Sequence, residues 1–205
     1  MIDKKYIKQR IDEYLEFDSD ILLRPTPDTK TPILLIRVFG GAIRDIIAGK
    51  EIHDIDILVG SETFNWAKEI LKEQGYYYHT HLTTKDIQQM YSDIHVISEP
   101  HTMVKNNKVV QLIRPRYLSK RNNSYTSQRE YKLNFIQLIQ NVDYSCCAVS
   151  YDGDNIYQNF PNSILHCQNS VFITNKNAKM YSEKRALHRK YKLEDRGWIE
   201  ILDNK

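Results

Sequence analysis

Two adjacent glycines, Gly40-Gly41, stand between an apolar run and a stretch of helical periodicity. The run before them, Ile33-Leu34-Leu35-Ile36-Arg37-Val38-Phe39, has the length and bulk of a buried strand. The stretch after them, Ala42 to Ala48, reads as a short helix stopped by Gly49. The chain has only seven glycines, so two side by side mark a place where the backbone turns tightly or approaches something closely. Downstream, His53 to Val59 carries Asp54-Ile55-Asp56-Ile57, the alternation of a second strand. Asp54 and Asp56 lie two apart, so both carboxylates leave the same face of that strand.

These pieces predict a chemistry. Glycine lets backbone amides come close to an anion, and a following helix start favours negative charge. The Gly40-Gly41 turn is therefore expected to hold the outer phosphates of a nucleoside triphosphate, ATP among them, with Arg44 adding a charged contact. Two neighbouring carboxylates repel, and a divalent cation relieves the repulsion. Hard oxygen ligands suit Mg²⁺ or Mn²⁺. The expected reaction is metal-dependent nucleotidyl transfer, in which a hydroxyl attacks the α-phosphate and pyrophosphate leaves.

The rest of the chain supplies the frame. Residues 3–16 place Ile7, Ile11, Tyr14 and Leu15 at helical spacing. Arg24-Pro25-Thr26-Pro27 to Pro32 reads as loop. Ser61 to Gln74 is predicted as a helix closed by Gly75, and residues 129–140 as another. Tyr76–Leu82, Ile94–Ser98, Val109–Ile113 and Cys146–Tyr151 read as strands, the last ending in an Asp152-Gly153 turn. A charged helix is predicted from Ala178 to about Arg196, with Tyr181, Leu187, Tyr191 and Leu193 facing inward. Helices and strands are mixed, with the strands clustered in the middle, and there is no internal repeat. The expectation is an α+β fold with a central mixed sheet flanked by helices. Residues 1–205 are read as one domain, with a core at about 33–160 and a C-terminal helical elaboration at about 178–200.

Composition narrows the classes. Hydrophobic residues make up 41% and charged residues 27% of the 205, which fits a soluble globular chain. No apolar run approaches the roughly 20 residues that span a bilayer. The first sixteen residues alternate charge with apolar residues and lack a signal-peptide core. Three cysteines, Cys146, Cys147 and Cys167, make a poor disulfide framework and point to a cytoplasmic or other reducing compartment. A net charge of +3 is too mild to imply a nucleic-acid partner by itself.

The stretch Phe39 to Leu58 resembles the head-domain signature of the polymerase-β-like nucleotidyltransferase superfamily. It is most similar to the branch of bacterial poly(A) polymerases and class II CCA-adding enzymes. That signature is a Gly-Gly-x-x-Arg-Asp turn followed by Asp-x-Asp, and Gly40, Gly41, Arg44, Asp45, Asp54 and Asp56 match every position. The resemblance implies a small sheet flanked by helices, with Asp54 and Asp56 as catalytic metal ligands. It implies nucleotide-binding roles for Gly40, Gly41, Arg44 and Asp45, the last two organising the site behind the triphosphate.

Asp143-Tyr144-Ser145-Cys146-Cys147-Ala148 is a weaker likeness. The family has Arg-Arg-Asp-Phe-Thr-x-Asn-Ala there, against the nucleotide sugar; here Asn141-Val142 replace the arginines and Cys147 the asparagine. Asp143 is instead read as a third catalytic, metal-binding carboxylate, with Asp93 as the competing choice. The family's base-selecting Glu-Asp-x-x-Arg is begun by Glu194-Asp195, but Trp198 stands where arginine belongs.

Other features carry less. His79, His81, His95 and His101 match no zinc spacing. Tyr76-Tyr77-Tyr78 suits sheet packing as well as base stacking. Two basic clusters could track an RNA backbone. One is Lys105, Lys108, Arg114, Arg116, Lys120 and Arg121; the other is Lys184, Arg185, His188, Arg189, Lys190 and Lys192. The leading expectation is an enzyme that adds a nucleotide to an RNA 3′ end. The alternative is a non-catalytic module of the same fold that binds RNA or protein.

Overall fold

The computed structural model describes residues 2–24, 36–79, 101–114, 139–140, 142–176, 178 and 183–202. Helix α1 (Lys4–Leu15) begins where the Asp3 carboxylate accepts a hydrogen bond from the Lys5 amide at 2.9 Å. It buries Ile7, Ile11 and Leu15, as their spacing predicts, and α2 (Asp20–Leu23) follows. Strand β1 (Ile36–Phe39), α3 (Gly41–Ile47), β2 (Asp54–Val59) and α4 (Ser61–Glu73) come next. Strands β3 (Tyr77–Tyr78), β4 (His101–Lys105) and β5 (Lys108–Ile113) complete one side of the sheet. After a 3₁₀ turn at Ser145–Cys147 come β6 (Val149–Tyr151), β7 (Ile156–Gln158) and α5 (Ser163–Gln168). The described chain ends with β8 (Val171–Phe172), α6 (Glu183–Glu194) and β9 (Ile199–Glu200).

The seven-stranded sheet has the order β3-β4-β5-β2-β1-β6-β7. Only β2 and β5 run parallel, so the sheet is mixed and the fold is α+β. Register sorts its faces. Val38 lies opposite Ile57, Ile57 beside Leu112, Ile55 beside Val110, and Val110 opposite Met103. These six share one face and one apolar cluster with Ile7, Ile11, Leu15, Leu22, Ile43, Ala67 and Leu71 of α1 to α4. The other face carries Phe39, Asp54, Asp56 and Gln111, because successive side chains alternate. The second, two-stranded sheet pairs β8 with β9 in parallel.

Several sequence expectations change here. Cys146 and Cys147 are not on a strand: they form the 3₁₀ turn, and the strand begins at Val149. On α6 Leu187 and Tyr191 face outward, 50% and 57% exposed, while Ala186 and Leu193 are buried. The small Ala186 lets the Tyr144 hydroxyl reach its carbonyl, which fixes the buried face of the helix. Strand β4 was not foreseen; it joins β5 through Asn106-Asn107, both at positive φ, the geometry of a two-residue hairpin turn. Of the expected strand at Tyr76–Leu82, Tyr77–Tyr78 is strand and residues 80–82 lie outside the described residues, as do Ile94–Ser98 and most of 129–140.

Candidate active site

Gly40 has φ 70° and ψ −127°, a conformation essentially closed to residues with a side chain. Its amide donates to the Val149 carbonyl at 3.0 Å, and its own carbonyl accepts from the Arg44 amide at 3.0 Å. The turn is thus tied to β6 on one side and α3 on the other. A Cβ at Gly40 would lie 4.0 Å from Asp56 Oδ2, so the turn folds directly over that carboxylate.

The acidic pair stands on β2, and Tyr14 secures the end of that strand. The Tyr14 hydroxyl donates to the His53 carbonyl at 2.8 Å and accepts from the Val109 amide at 2.9 Å. Asp54 then lies beside Val109, and Asp56 beside Gln111. Asp56 Oδ1 is buried and has no hydrogen-bond partner among the described residues. Burial, then the Asp54 charge, pushes the Asp56 carboxyl up to about 7, while Arg189 and Arg44 pull it down. An orphaned carboxylate oxygen beside a second carboxylate is a donor set that suits a hard divalent cation.

Arg44 and Asp45 are both buried, 6% and 3% exposed. Arg44 Nε and Nη2 each donate to Asp45 at 2.7 Å, and Nη1 lies 3.4 Å from Cys147 Sγ. The Trp198 ring sits 5.2 Å from the Arg44 guanidinium carbon, and Arg196 Nη1 lies 3.8 Å from Asp45 Oδ2. Trp198 is therefore a buried lid on the Arg44–Asp45 pair, and its indole nitrogen has no partner among the described residues.

Asp143 does not join Asp54 and Asp56. Among the described residues no three His, Cys, Asp or Glu side chains are grouped to hold a metal ion. Buried Asp143 accepts from Arg189 Nη1 of α6 at 2.8 Å through Oδ2. Its Oδ1 is left without a partner there. Asp93 lies outside the described residues, as do His81, His95, Arg116, Lys120, Arg121 and Tyr181.

Cys147 is half-buried against Arg44, with its sulfur 4.0 Å from that of Cys146. The contact with Cys146 and the charge of Arg44 outweigh burial and lower the Cys147 thiol to about 6; burial pushes Cys146 up. The basic clusters are partly spent within the fold. Lys105 and Lys108 bridge Glu16 at 3.2 and 2.9 Å, Lys190 bridges Glu200 at 2.5 Å, and Arg114 lies 4.1 Å over the Phe64 ring. His101 stacks on Tyr78 with centroids 4.5 Å apart. Sequence reasoning missed the links of Arg189 to Asp143 and of Cys147 to Arg44. Each joins segments 46 and 103 residues apart, and no local pattern marks them.

Residues 36–130 match the family model of the poly(A) polymerase head domain. A CCA-adding enzyme solved with CTP is similar at TM-score 0.59 and 12% identity, over 96% of this chain and 42% of that one. A CCA-adding enzyme in an apo form is similar at TM-score 0.51 and 11% identity, over 98% of this chain and 40% of that one. A tRNA nucleotidyltransferase solved with a primer tRNA and an incoming ATP analogue gives TM-score 0.50 and 14% identity, over 82% of this chain and 44% of that one. Comparison with curated protein sequences returns no match. The chain spans about two fifths of the length of these solved structures, and it has their head-domain fold.

Proposed function

We propose that this chain is a metal-dependent nucleotidyltransferase that moves a nucleoside monophosphate from a nucleoside triphosphate to a hydroxyl, most readily an RNA 3′ end. The carrying observation is the placement of Asp54 and Asp56 on one sheet face, with the Gly40 turn 4.0 Å from Asp56 Oδ2. The head-domain match over residues 36–130 supports the same reading, and similar structures are described with CTP, an ATP analogue and tRNA.

The residues fit Mg²⁺ or Mn²⁺. Asp54 and Asp56 would hold it, and the unpartnered Asp56 Oδ1 is the donor it would satisfy. When bound, the cation supplies Lewis-acid stabilisation of charge on the phosphoryl oxygens. The chain's own residues do the remaining work. The Gly40-Gly41 backbone offers a surface without side chains against which phosphates can lie. Asp45 and Trp198 hold the buried Arg44 charge beneath that turn, so the turn keeps its shape. RNA would approach over the two basic clusters, of which Lys105, Lys108 and Lys190 already pair with Glu16 and Glu200.

The test is a transfer assay with each α-labelled nucleoside triphosphate, Mg²⁺ or Mn²⁺, and mixed RNA, with the protein itself as a possible acceptor. Label on RNA that is lost in Asp54→Asn/Asp56→Asn is the expected result. Label on the protein would redirect the assignment to protein modification. RNA binding that survives Mg²⁺ removal, with no transfer to any acceptor, would favour a non-catalytic module.

A further inference from the structure

We propose that Tyr78, His101 and Phe64, flanked by Lys68 and Lys72, form a stacking platform for a single-stranded stretch of RNA, on the sheet face opposite the acidic pair. The inference deepens the RNA reading above and rests on it. The three consecutive tyrosines divide between two roles. Tyr76 is buried, and its hydroxyl donates to the Leu15 carbonyl at 3.3 Å. Tyr77 and Tyr78 are exposed and form β3, the edge strand on that side of the sheet among the described residues. Tyr78 lies opposite Met103, and His101 opposite Leu112, so both share the face packed by the helices. Strand β3 stands three strand spacings from β2, about 14 Å across the sheet. RNA held there does not compete with groups engaged at Asp54 and Asp56.

The rings form a continuous row. Tyr78 stacks on His101 with centroids 4.5 Å apart and planes at 21°, and Phe64 of α4 meets His101 edge-on at 5.6 Å and 77°. Arg114 closes the inner end, 4.1 Å over Phe64. At the outer end Tyr78 is 52% exposed. A ring already ordered in a row loses little further freedom when a base is laid on it. Phe64, Lys68 and Lys72 recur every four residues and make one stripe of α4. Lys68 and Lys72 pair with Glu69 at 3.6 and 3.0 Å. Such solvent-facing pairs are worth little, so a phosphate can take the place of Glu69. Burial, then the charges of Lys68, Arg114 and Lys72, lowers the pKa of His101 below its ordinary 6.5. Its ring is therefore neutral at pH 7, in a positive local field. Rings alone would suit a protein partner as well; the positive charge around them favours a polyanion. Aromatic rings beside cations are the means by which single strands are bound without base selection.

Anisotropy titration of a labelled oligoadenylate, in a chelator so that binding is read without transfer, tests this. The companion probe is an abasic oligomer of the same length. Tyr78→Ala is expected to weaken oligoadenylate roughly five- to a hundredfold, the worth of one stacked base. Tyr78→Leu, which keeps apolar bulk without a ring face, should lose binding likewise, and Tyr78→Phe should keep it. The abasic oligomer should bind wild type and Tyr78→Ala alike. Lys68→Ala/Lys72→Ala should lower the slope of log affinity against log salt by about 1.4, two phosphate contacts on a single strand. Unchanged oligoadenylate binding by Tyr78→Ala and Tyr78→Leu would overturn the platform, as would an equal loss of the abasic oligomer. A wild type with no affinity for oligoadenylate at low salt would overturn it too. Self-association of the RNA-free protein, seen by sedimentation and lost in Tyr78→Ala, would assign the face to a second copy instead. None of these outcomes bears on the acidic pair, so the transfer assay with Asp54→Asn/Asp56→Asn decides the nucleotidyltransferase reading separately.

Discussion

The guanidinium of Arg44 folds back onto the carboxylate of its own neighbour, Asp45, through two hydrogen bonds of 2.7 Å. Adjacent residues on a helix do not normally face each other. Here the pair is buried and enclosed by Cys147, Trp198 and Arg196. Removing one member leaves a buried charge uncompensated. Asp45→Ala is expected to destabilise the fold by about 3–5 kcal/mol, read as a lower urea midpoint. Replacing both residues with apolar ones of similar volume should cost less than either single change. Equal costs for the single and double variants would show that the pair is not coupled.

Asp56 makes stability depend on pH. Its folded pKa, about 7, lies above the ordinary aspartate value of 3.8. The folded state therefore binds the proton more tightly than the unfolded chain. Its stabilising effect is full below about pH 4 and is lost as pH rises toward 7. In that window the metal-free protein should lose stability with a slope of up to about 1.4 kcal/mol per pH unit from this group. Asp56→Asn should flatten the slope and be more stable than wild type at pH 8, while transfer is abolished. Unfolding curves at pH 5 and 8 in a chelator check this, and a slope unchanged in the variant would refute it. Mg²⁺ should raise wild-type stability at pH 8 and leave the variant unaffected.

Gly40 links backbone geometry to the site. At φ 70° and ψ −127°, an added Cβ is strained and would sit 4.0 Å from Asp56 Oδ2. Gly40→Ala should cost about 1–3 kcal/mol of stability. It should cost more in activity, roughly a hundredfold, because the turn shifts relative to the acidic pair. Gly49 is also at positive φ, but a Cβ there meets nothing within 4 Å. Gly49→Ala should therefore share the stability loss and keep transfer near wild type. Equal activity losses in the two variants would mean that strain alone, not the place of the turn, is responsible.

What the sequence made legible was local. The Gly40-Gly41 turn and the Asp54/Asp56 alternation are written in consecutive residues, and the structure places the turn over the pair. The inward face of α1 followed from Ile7, Ile11 and Leu15 for the same reason. Misreadings arose where distant contacts decide the outcome. Leu187 and Tyr191 looked inward by hydrophobicity, but Tyr144 docks on Ala186 and turns them outward. Cys146 and Cys147 looked like strand, but the Ser145 amide bonds to the Ile173 carbonyl at 3.0 Å while the Cys147 amide closes back on Tyr144 at 2.9 Å. The pairing of Asp143 with Arg189 is another such distant contact, which nothing nearby in sequence announces.

Cys147 provides a chemical probe of the same cluster. The Cys146 contact and the Arg44 charge bring its thiol down to about 6, whereas burial raises those of Cys146 and Cys167. The thiolate is the nucleophile, so at pH 7 limiting iodoacetamide should label Cys147 ahead of the other two. The labelling rate should rise through about pH 6 and level off, where an ordinary cysteine would still be climbing toward pH 9. Arg44→Lys should move the midpoint upward, because a lysine cannot keep the guanidinium's planar contacts to Asp45 and the sulfur at once. Peptide mapping by mass spectrometry across a pH series gives both the site and the midpoint. Earlier labelling of Cys167, or a midpoint near 9, would show that Arg44 does not hold a thiolate beside the turn.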